Sequence, residues 1–225
     1  MRHGHSRMAG DGRGIVVFGG TFDPPHLGHL ILACDAYEAL TPERFLIIPT
    51  GHTPLRSQDG ITPAAIRLRM VRAALAGHSH FEVNDMEVVR SGPSYTVDTL
   101  RALAASDPRP ITLLVGKDAF ASFSDWREHE EISRIARIAV MERGEARSLR
   151  RVTTGADGME RVTTRRIDIS STEIRDRVAQ GRPVRALLPE GVVQIIEQEG
   201  LYLRGGSSSK ASSEVVAPRQ SLQTP

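Results

Sequence analysis

Residues 19–29 read GGTFDPPHLGH and come directly after the apolar run IVVF at residues 15–18. All four residues of that run are apolar and the first three are β-branched, which is typical of a strand buried in a parallel sheet. The two glycines that follow allow a tight turn and a close approach of the backbone to a ligand. His26 and His29 are three residues apart, so they share one face of a helix that begins there. This succession predicts an anion-binding loop at a helix N-terminus.

The histidine pair also fits two roles that involve no phosphate. The rings could be metal ligands, although no third ligand stands at an obvious spacing, or ordinary loop histidines beside a simple turn. Gly28 leaves room between them for a phosphate or a purine against the backbone, and the helix end adds a partial positive charge. The combined pattern therefore favours phosphate binding.

A second motif, ISSTEIR, occupies residues 169–175. Ser170 followed by Glu173 is a capping box, which predicts that a helix begins here. The first turn also offers the hydroxyls and the guanidinium that a triphosphate needs, from Ser171, Thr172 and Arg175. The segment alone fits a plain helix start equally well, but together with the histidine loop it favours phosphate binding.

Short apolar runs alternate with helical patterns along the rest of the chain, as in an α/β protein. Strands are predicted at 15–18, 45–49, 81–89 (irregular), 111–115, 137–141 and at the end of 161–169. Helices are predicted at 28–40, 63–76, 95–105, 171–180 and 190–199. We expect a Rossmann-like doubly wound parallel sheet in a single domain. Ligands in such folds bind at the carboxyl ends of the strands, so the loops after residues 18, 49, 115 and 169 are candidates.

The composition indicates how the chain is organised and which partners it excludes. Residues 1–14 are predicted to be a flexible lead, 15–204 the domain, and 205–225 a Ser-rich disordered tail. The net charge of +2 argues against a nucleic-acid coat or a membrane patch. The only cysteine is Cys34, so no intrachain disulfide forms and a cytoplasmic location is expected. No apolar run approaches the roughly 18 residues of a membrane span.

The histidine loop resembles the signature of the nucleotidyltransferase α/β-phosphodiesterase superfamily, and residues 169–175 resemble its second signature. Neither a P-loop nor a Gly-x-Gly-x-x-Gly fingerprint is present in the sequence. Within the superfamily, residues from about 15 to 203 are similar to the bacterial nicotinate-nucleotide adenylyltransferases. The supporting segments are GPSYTVDTL at 92–100, LVGKD at 114–118, and Trp126.

The resemblance implies transfer of the adenylyl group of ATP to nicotinate mononucleotide, with Mg²⁺ bound mainly through substrate phosphates and no metal ligands from the protein. The implied catalytic residues are His26, His29 and Arg175. The implied ATP-binding residues are Gly19, Gly20, Thr21, Gly28, Asp118, Ser171 and Thr172. The implied mononucleotide-binding residues are Tyr95, Thr96, Val97 (through its backbone), Trp126 and Arg56.

Several alternatives stay open. Trp126 could be a core aromatic, Asp118 a helix cap, and Thr96 a plain first-turn residue. The family often has a histidine followed by a lysine where this chain has Leu55 and Arg56, so the positive charge is retained but the histidine is not. The acceptor could be nicotinamide mononucleotide or phosphopantetheine, and the scaffold could be an idle nucleotide-binding module. An aminoacyl-tRNA synthetase relative would need a longer chain. The expected partners are ATP and nicotinate mononucleotide, with no nucleic acid or membrane, and a homo-oligomer is left open.

Overall fold

A computed structural model describes residues 14–53, 60–144 and 151–203. The strands in these ranges are β1 (Ile15–Gly20), β2 (Arg44–Pro49), β3 (Glu82–Val83), β4 (Ile111–Gly116), β5 (Ala136–Arg143), β6 (Val152–Thr154) and β7 (Glu160–Thr164). The helices are α1 (Leu27–Leu40), α2 (Ala64–Ala74), α3 (Met86–Val89), α4 (Thr96–Ser106), α5 (Lys117–Phe120), α6 (His129–Ile135), α7 (Ser171–Ala179) and α8 (Glu190–Glu199), with a 3₁₀ turn at Phe123–Asp125. Nearly all of the predicted lead and tail lie outside these ranges.

The strands form one sheet in the order β3-β2-β1-β4-β5-β7-β6. Every neighbouring pair is parallel except β6 with β7. β1 lies between β2 and β4, where Ile15 pairs with Arg44 on one side and Ile111 on the other. The chain therefore leaves β1 at the point where the strand order reverses, which is where a doubly wound sheet opens a crevice.

Alternate residues of β1 pack on opposite layers of helices, because successive side chains of a strand point to opposite faces. Ile15 and Val17 pack in a core with residues of α4 and α6. Val16 and Phe18 pack with residues of α1 and α2 on the other face. Helices on both faces confirm the predicted doubly wound α/β fold.

A third core fixes α7 to the domain. Ile174 of α7 is fully buried with Met70 of α2 and with Val192 and Ile196 of α8. Since apolar burial contributes about 25 cal/mol per Å², this contact anchors the helix that carries the second motif.

Two predicted strands differ from the structure. Residues 81–89 form only the two-residue strand β3 and then turn into α3, because the Asn84 side chain accepts the Met86 backbone N–H at 2.9 Å and starts the turn. The strand predicted at the end of 161–169 ends at Thr164, because the Arg165 N–H donates to Asp35 of α1 at 2.9 Å and the chain leaves the sheet there. The candidate loop therefore spans 165–170 and begins five residues earlier than predicted.

The helices in the described ranges include none with the length and apolar character needed to cross a membrane.

Candidate active site

The two sequence motifs meet at the carboxyl end of the sheet. Arg175 Nη1 donates to the Asp23 backbone carbonyl at 2.8 Å, and Ser171 Oγ donates to the Pro24 carbonyl at 2.9 Å. The Leu27 N–H at the start of α1 donates to the Leu187 carbonyl at 3.0 Å. The start of α7 is thus docked on the loop that leads from β1 into α1.

The serine half of the predicted capping box is formed at the start of α7. Ser170 Oγ accepts the Glu173 backbone N–H at 3.1 Å. Arg175, one turn into the helix, also donates from Nη2 to Thr172 Oγ1 at 3.3 Å. The guanidinium is therefore held at a defined place beside the first motif, with part of it still accessible to solvent.

His26 and His29 form a stacked pair at the start of α1. Their ring centroids are 3.7 Å apart with the planes 30° from parallel, and His26 is buried. The His26 backbone N–H donates to His29 Nδ1 at 3.2 Å. Because Nδ1 is the acceptor, the proton of a neutral His29 ring is on Nε2, which is then free to act as a donor to a ligand.

Gly28 makes the stacked arrangement possible. A Cβ at this position would lie 2.9 Å from His26 Nδ1 and 3.2 Å from Ile167 Cγ2. The His26 imidazole and the 165–170 segment thus lie where a side chain at position 28 would be, and the predicted ligand contact of the Gly28 backbone stays a prediction. The glycine requirement therefore follows from the packing of the histidine ring.

Burial keeps both imidazoles neutral. It lowers the pKa of His26 to about 4. It also lowers the pKa of His29 well below its ordinary value, with a further decrease from charge on His26. His26 Nδ1 has no hydrogen-bond partner among the described residues. At neutral pH both rings are therefore uncharged, so they offer a ligand neutral ring nitrogens rather than positive charge.

A cavity of about 550 Å³ opens beside this loop at the carboxyl ends of β1, β2 and β4. Six of the residues predicted for ATP or mononucleotide contact line it, namely Gly19, Gly20, Thr21, Tyr95, Thr96 and Trp126. Its wall also contains seven polar residues that the sequence did not assign to the site, namely Thr50, Thr53, Glu87, Ser94, Thr99, Asp125 and Arg127. The cavity thus joins the glycine turn of β1 to the start of α4.

The aromatic end of the cavity is built around Trp126. The indole is half-buried, lies 5.6 Å from the Phe123 ring centroid, and also lines the cavity. The Arg127 guanidinium lies 4.5 Å above the Tyr95 ring. Trp126 therefore packs on the edge of the core while keeping contact with the open space. Val97 is fully buried in the core, so only its backbone can serve a ligand.

Other predicted residues lie away from the cavity wall. Asp118 is exposed in the first turn of α5, directly after β4, and the N-cap of that helix is Gly116, so Asp118 is not its cap. The histidine pair, Ser171, Thr172 and Arg175 are not among the residues that line the cavity, and Ser171 and Arg175 contact the β1–α1 loop, which continues from Thr21 of the cavity wall. Arg56 lies outside the described residues. No cluster of three His, Cys, Asp or Glu side chains that could hold a metal occurs within the described ranges.

Arg67 holds two loops of the site together, a role that no sequence pattern indicates. This buried residue of α2 donates to the carbonyls of Thr21, Gly51 and Thr62 at 2.7, 2.9 and 2.8 Å. Its guanidinium ties the loop after β1 to the loop after β2. Burial lowers the pKa of Arg67, and the nearby charge of Asp23 opposes that change.

A second unpredicted contact holds the side chain of Asp23. Asp23 Oδ1 accepts from the Tyr202 hydroxyl at 2.6 Å, and Oδ2 accepts from the Thr62 N–H at 3.2 Å. These bonds connect the first motif to a residue near the far end of the domain. An aspartate in a Pro-rich loop looks like an ordinary turn residue, so the sequence alone does not reveal this contact.

The sequence matches the model of a known family and several named bacterial proteins. The profile of the cytidylyltransferase-like family matches residues 17–177. A protein of Roseiflexus sp. (strain RS-1), named a probable nicotinate-nucleotide adenylyltransferase, is 44% identical over 193 residues, which cover 84% of this chain and 97% of that protein. One of the same name from Geobacillus thermodenitrificans is 37% identical over 210 residues, covering 93% and 94%.

The fold is also similar to a solved structure. Nicotinic acid mononucleotide adenylyltransferase of Plasmodium falciparum, complexed with NaAD, superposes with a TM-score of 0.68 at 17% identity, covering 84% of this chain and 97% of that one. At this identity the similarity concerns the fold. The sequence identity with the bacterial proteins is high enough to show the family as well. This chain belongs to the nicotinate-nucleotide adenylyltransferase family of cytidylyltransferase-like enzymes.

Proposed function

We propose that this enzyme transfers the adenylyl group of ATP to nicotinate mononucleotide and releases pyrophosphate, forming nicotinate adenine dinucleotide for NAD biosynthesis. One observation carries the proposal. Arg175 and Ser171 are hydrogen-bonded to the Asp23–Pro24 loop, which directly follows the Gly19–Thr21 wall of a cavity that Tyr95 and Trp126 also line. The names of the bacterial relatives support the same activity.

The chemistry requires little from the protein beyond positioning and charge neutralisation. An oxygen of the mononucleotide 5′-phosphate, already ionised at neutral pH, forms a bond to the α-phosphorus of ATP. The bond from that phosphorus to the oxygen bridging to the β-phosphorus breaks, and pyrophosphate leaves with the electron pair. No general base is needed, since the nucleophile carries no proton that must be removed.

The triphosphate end of this proposal uses the two converging motifs. The Nε2–H of His29 donates to the oxygens of the α-phosphate, where negative charge increases in the transition state. The first turn of α7 and the guanidinium of Arg175 neutralise the rest of the triphosphate. The backbone of Gly19, Gly20 and Thr21 lies against the phosphates, because the open wall of the cavity begins there.

The pyridine end uses the opposite wall. An electron-poor pyridinium ring stacks on the half-buried indole of Trp126. The first N–H groups of α4, at Thr96 and Val97, have no partner inside the helix and suit the ring carboxylate. This preference for an anionic substituent on the ring is the reason to propose the acid mononucleotide rather than the amide.

Mg²⁺ would bind together with the triphosphate, held mainly by substrate phosphates rather than by side chains of the protein. Mg²⁺ prefers oxygen ligands and usually retains several of its water molecules. When bound, it supplies charge neutralisation at the phosphates. We propose the cytoplasm as the compartment, given the single thiol of Cys34.

The test is release of pyrophosphate from ATP and Mg²⁺ in the presence of a panel of acceptors. We expect rapid release with nicotinate mononucleotide and formation of the dinucleotide. A preference for nicotinamide mononucleotide or phosphopantetheine would replace the acceptor while keeping the chemistry. Release with none of them would indicate an idle nucleotide-binding module. A parallel assay with EDTA in place of Mg²⁺ checks the metal requirement.

A further inference from the structure

A buried carboxyl group lies in the wall of the cavity and has no part in the mechanism above. Glu87 of α3 is only 7% exposed, and its Oε1 accepts a hydrogen bond from the Thr99 hydroxyl at 2.7 Å. Thr99 is itself 2% exposed and lies on α4. A carboxyl group so placed is costly unless its oxygens receive hydrogen bonds, so its partners must be held in place.

The same carboxyl group faces the loop after β2. Burial raises the pKa of Glu87, the hydrogen bond from Thr99 and the nearby charge of Arg90 oppose that rise most, and Ser94 and the Gly51 N–H oppose it further. Ser94 Oγ accepts the N–H groups of Gly51 and His52 at 3.2 Å each, and the Ser94 N–H returns a bond to the His52 carbonyl at 2.8 Å. Three separate segments are therefore tied together around one carboxyl group.

The Gly51 backbone is packed tightly against the backbone of Glu87 and the side chain of Ser94. A Cβ on Gly51 would lie 2.0 Å from the Glu87 carbonyl oxygen and 2.9 Å from Ser94 Oγ. Gly51 in turn presents its carbonyl to buried Arg67 at 2.9 Å, and Arg67 also holds the carbonyl of Thr21. The network is thus continuous with the loop that leaves β1.

Thr99 connects this network to the start of α4. The Thr99 N–H donates to the Tyr95 carbonyl at 3.2 Å, so the bond from its hydroxyl to Glu87 fixes the first turn of the helix. Tyr95 and Thr96, in that turn, line the cavity. A change at the Glu87 carboxyl group is therefore transmitted directly to the residues expected at the pyridine end.

We propose that Glu87 is a positioning residue for the mononucleotide: through Thr99 and Ser94 it sets the first turn of α4 against the loop after β2, and so determines the fit of the pyridine ring. This inference rests on the proposed function. Glu87 has no contact with the triphosphate in this proposal, because the two motifs that bind the triphosphate meet at the β1–α1 loop.

The test compares Glu87→Gln, Thr99→Val and the double variant. Glutamine keeps the shape and the acceptor for Thr99 but presents an NH₂ group toward other donors, and valine removes the hydroxyl with little change in volume. For each we expect KM for nicotinate mononucleotide to rise about tenfold, the order of effect for lost buried hydrogen bonding, with KM for ATP within about twofold of wild type. The double variant should be no worse than the more affected single one, because the two groups act as a pair.

Glu82→Gln is the matched control. Glu82 lies five residues earlier and pairs with Arg44 at the exposed edge of the sheet, at 2.6 Å. We expect this variant to keep both KM values. Thermal unfolding of every variant shows whether it is folded. If Glu87→Gln does not fold, the KM values of Thr99→Val compared with those of the wild type are sufficient for the test.

Three results would overturn the inference. One is an unchanged KM for the mononucleotide in a folded Thr99→Val enzyme, another an equal rise in both KM values, and the third a double variant whose two effects simply add. In each of these cases the wild-type enzyme still makes the dinucleotide, so the proposed function survives. A wild-type protein that makes no dinucleotide at all removes both proposals together.

Discussion

Arg175 donates a hydrogen bond from Nη1 to the backbone carbonyl of Asp23, 152 residues earlier in the chain, at 2.8 Å. This one contact places the cation of the second motif against the loop of the first. The other nitrogen, Nη2, is oriented by Thr172 Oγ1 at 3.3 Å. A guanidinium held on two sides loses little further freedom when an anion binds, which is the condition for efficient charge neutralisation.

Replacing Arg175 with alanine should therefore lower kcat/KM for ATP by about 10- to 100-fold, the range for loss of a charged hydrogen bond. The measurement is the initial rate at varied ATP with the mononucleotide saturating. Arg177→Ala is the matched control, because Arg177 is on the same helix but bonds to Pro183 and Glu173. Equal losses in the two variants would mean that Arg175 acts only through the stability of α7.

His29→Ala should lower kcat by about 10²- to 10³-fold, the usual cost of removing one donor to a transition state. The reason is the tautomer: since His29 Nδ1 accepts the His26 N–H at 3.2 Å, Nε2 is the donor. Single-turnover rates measure the chemical step directly. His78→Ala, which changes an exposed ring, should be as fast as wild type. A His29→Ala enzyme with most of its activity would remove this ring from the mechanism.

The elements that can be predicted from the sequence are those whose pattern is local. The runs at β1, β2 and β4 are apolar at nearly every position, and that pattern is typical of central parallel strands. The start of α7 is predicted from its capping box, which uses only residues within one turn. In both cases the residues that decide the structure are neighbours in the chain.

The elements that the sequence does not predict depend on distant partners. Arg67 on an amphipathic helix looks like a surface residue, and only carbonyls from three loops make its burial tolerable. Likewise β7 ends where Asp35, 130 residues away in the sequence, accepts the Arg165 N–H. The position of Glu87 in the cavity wall depends on Thr99 and Gly51 in the same way. Such contacts follow from the fold and cannot be obtained from spacing.

Trp126→Ala should raise KM for nicotinate mononucleotide about tenfold and leave KM for ATP nearly unchanged, since ring stacking contributes on the order of 1–2 kcal/mol. Trp126→Phe, which keeps a smaller ring, should have a KM for the mononucleotide between those of the wild type and Trp126→Ala. Trp126 is the only tryptophan of the chain, so its fluorescence reports on the site without interference. We expect the mononucleotide to quench it. An unchanged KM and no quenching would indicate that the indole serves only the core beside Phe123.

The buried histidine pair should make the protein lose stability in mild acid. In the fold the pKa of His26 is lowered from 6.5 to about 4, so between these values the unfolded chain binds more protons than the native one. The free energy of unfolding should therefore be unaffected by this group above pH 6.5 and fall as the pH decreases from about 6.5 to about 4, by about 3 kcal/mol in total. His29 should act in the same direction, because burial lowers its pKa too.

Urea unfolding at a series of pH values measures this loss, and variants separate it from the titration of carboxyl groups in the same window. His26→Gln should flatten the curve between pH 6.5 and 4, whereas His78→Gln, which changes an exposed ring, should leave the wild-type curve. Bound ATP should oppose the loss in the wild type, because an anion beside the imidazoles favours their charged form and so raises their pKa values. If His26→Gln and wild type have parallel curves, the His26 ring is hydrated rather than buried, and the neutral histidine pair assumed for phosphate binding must be replaced by a charged one.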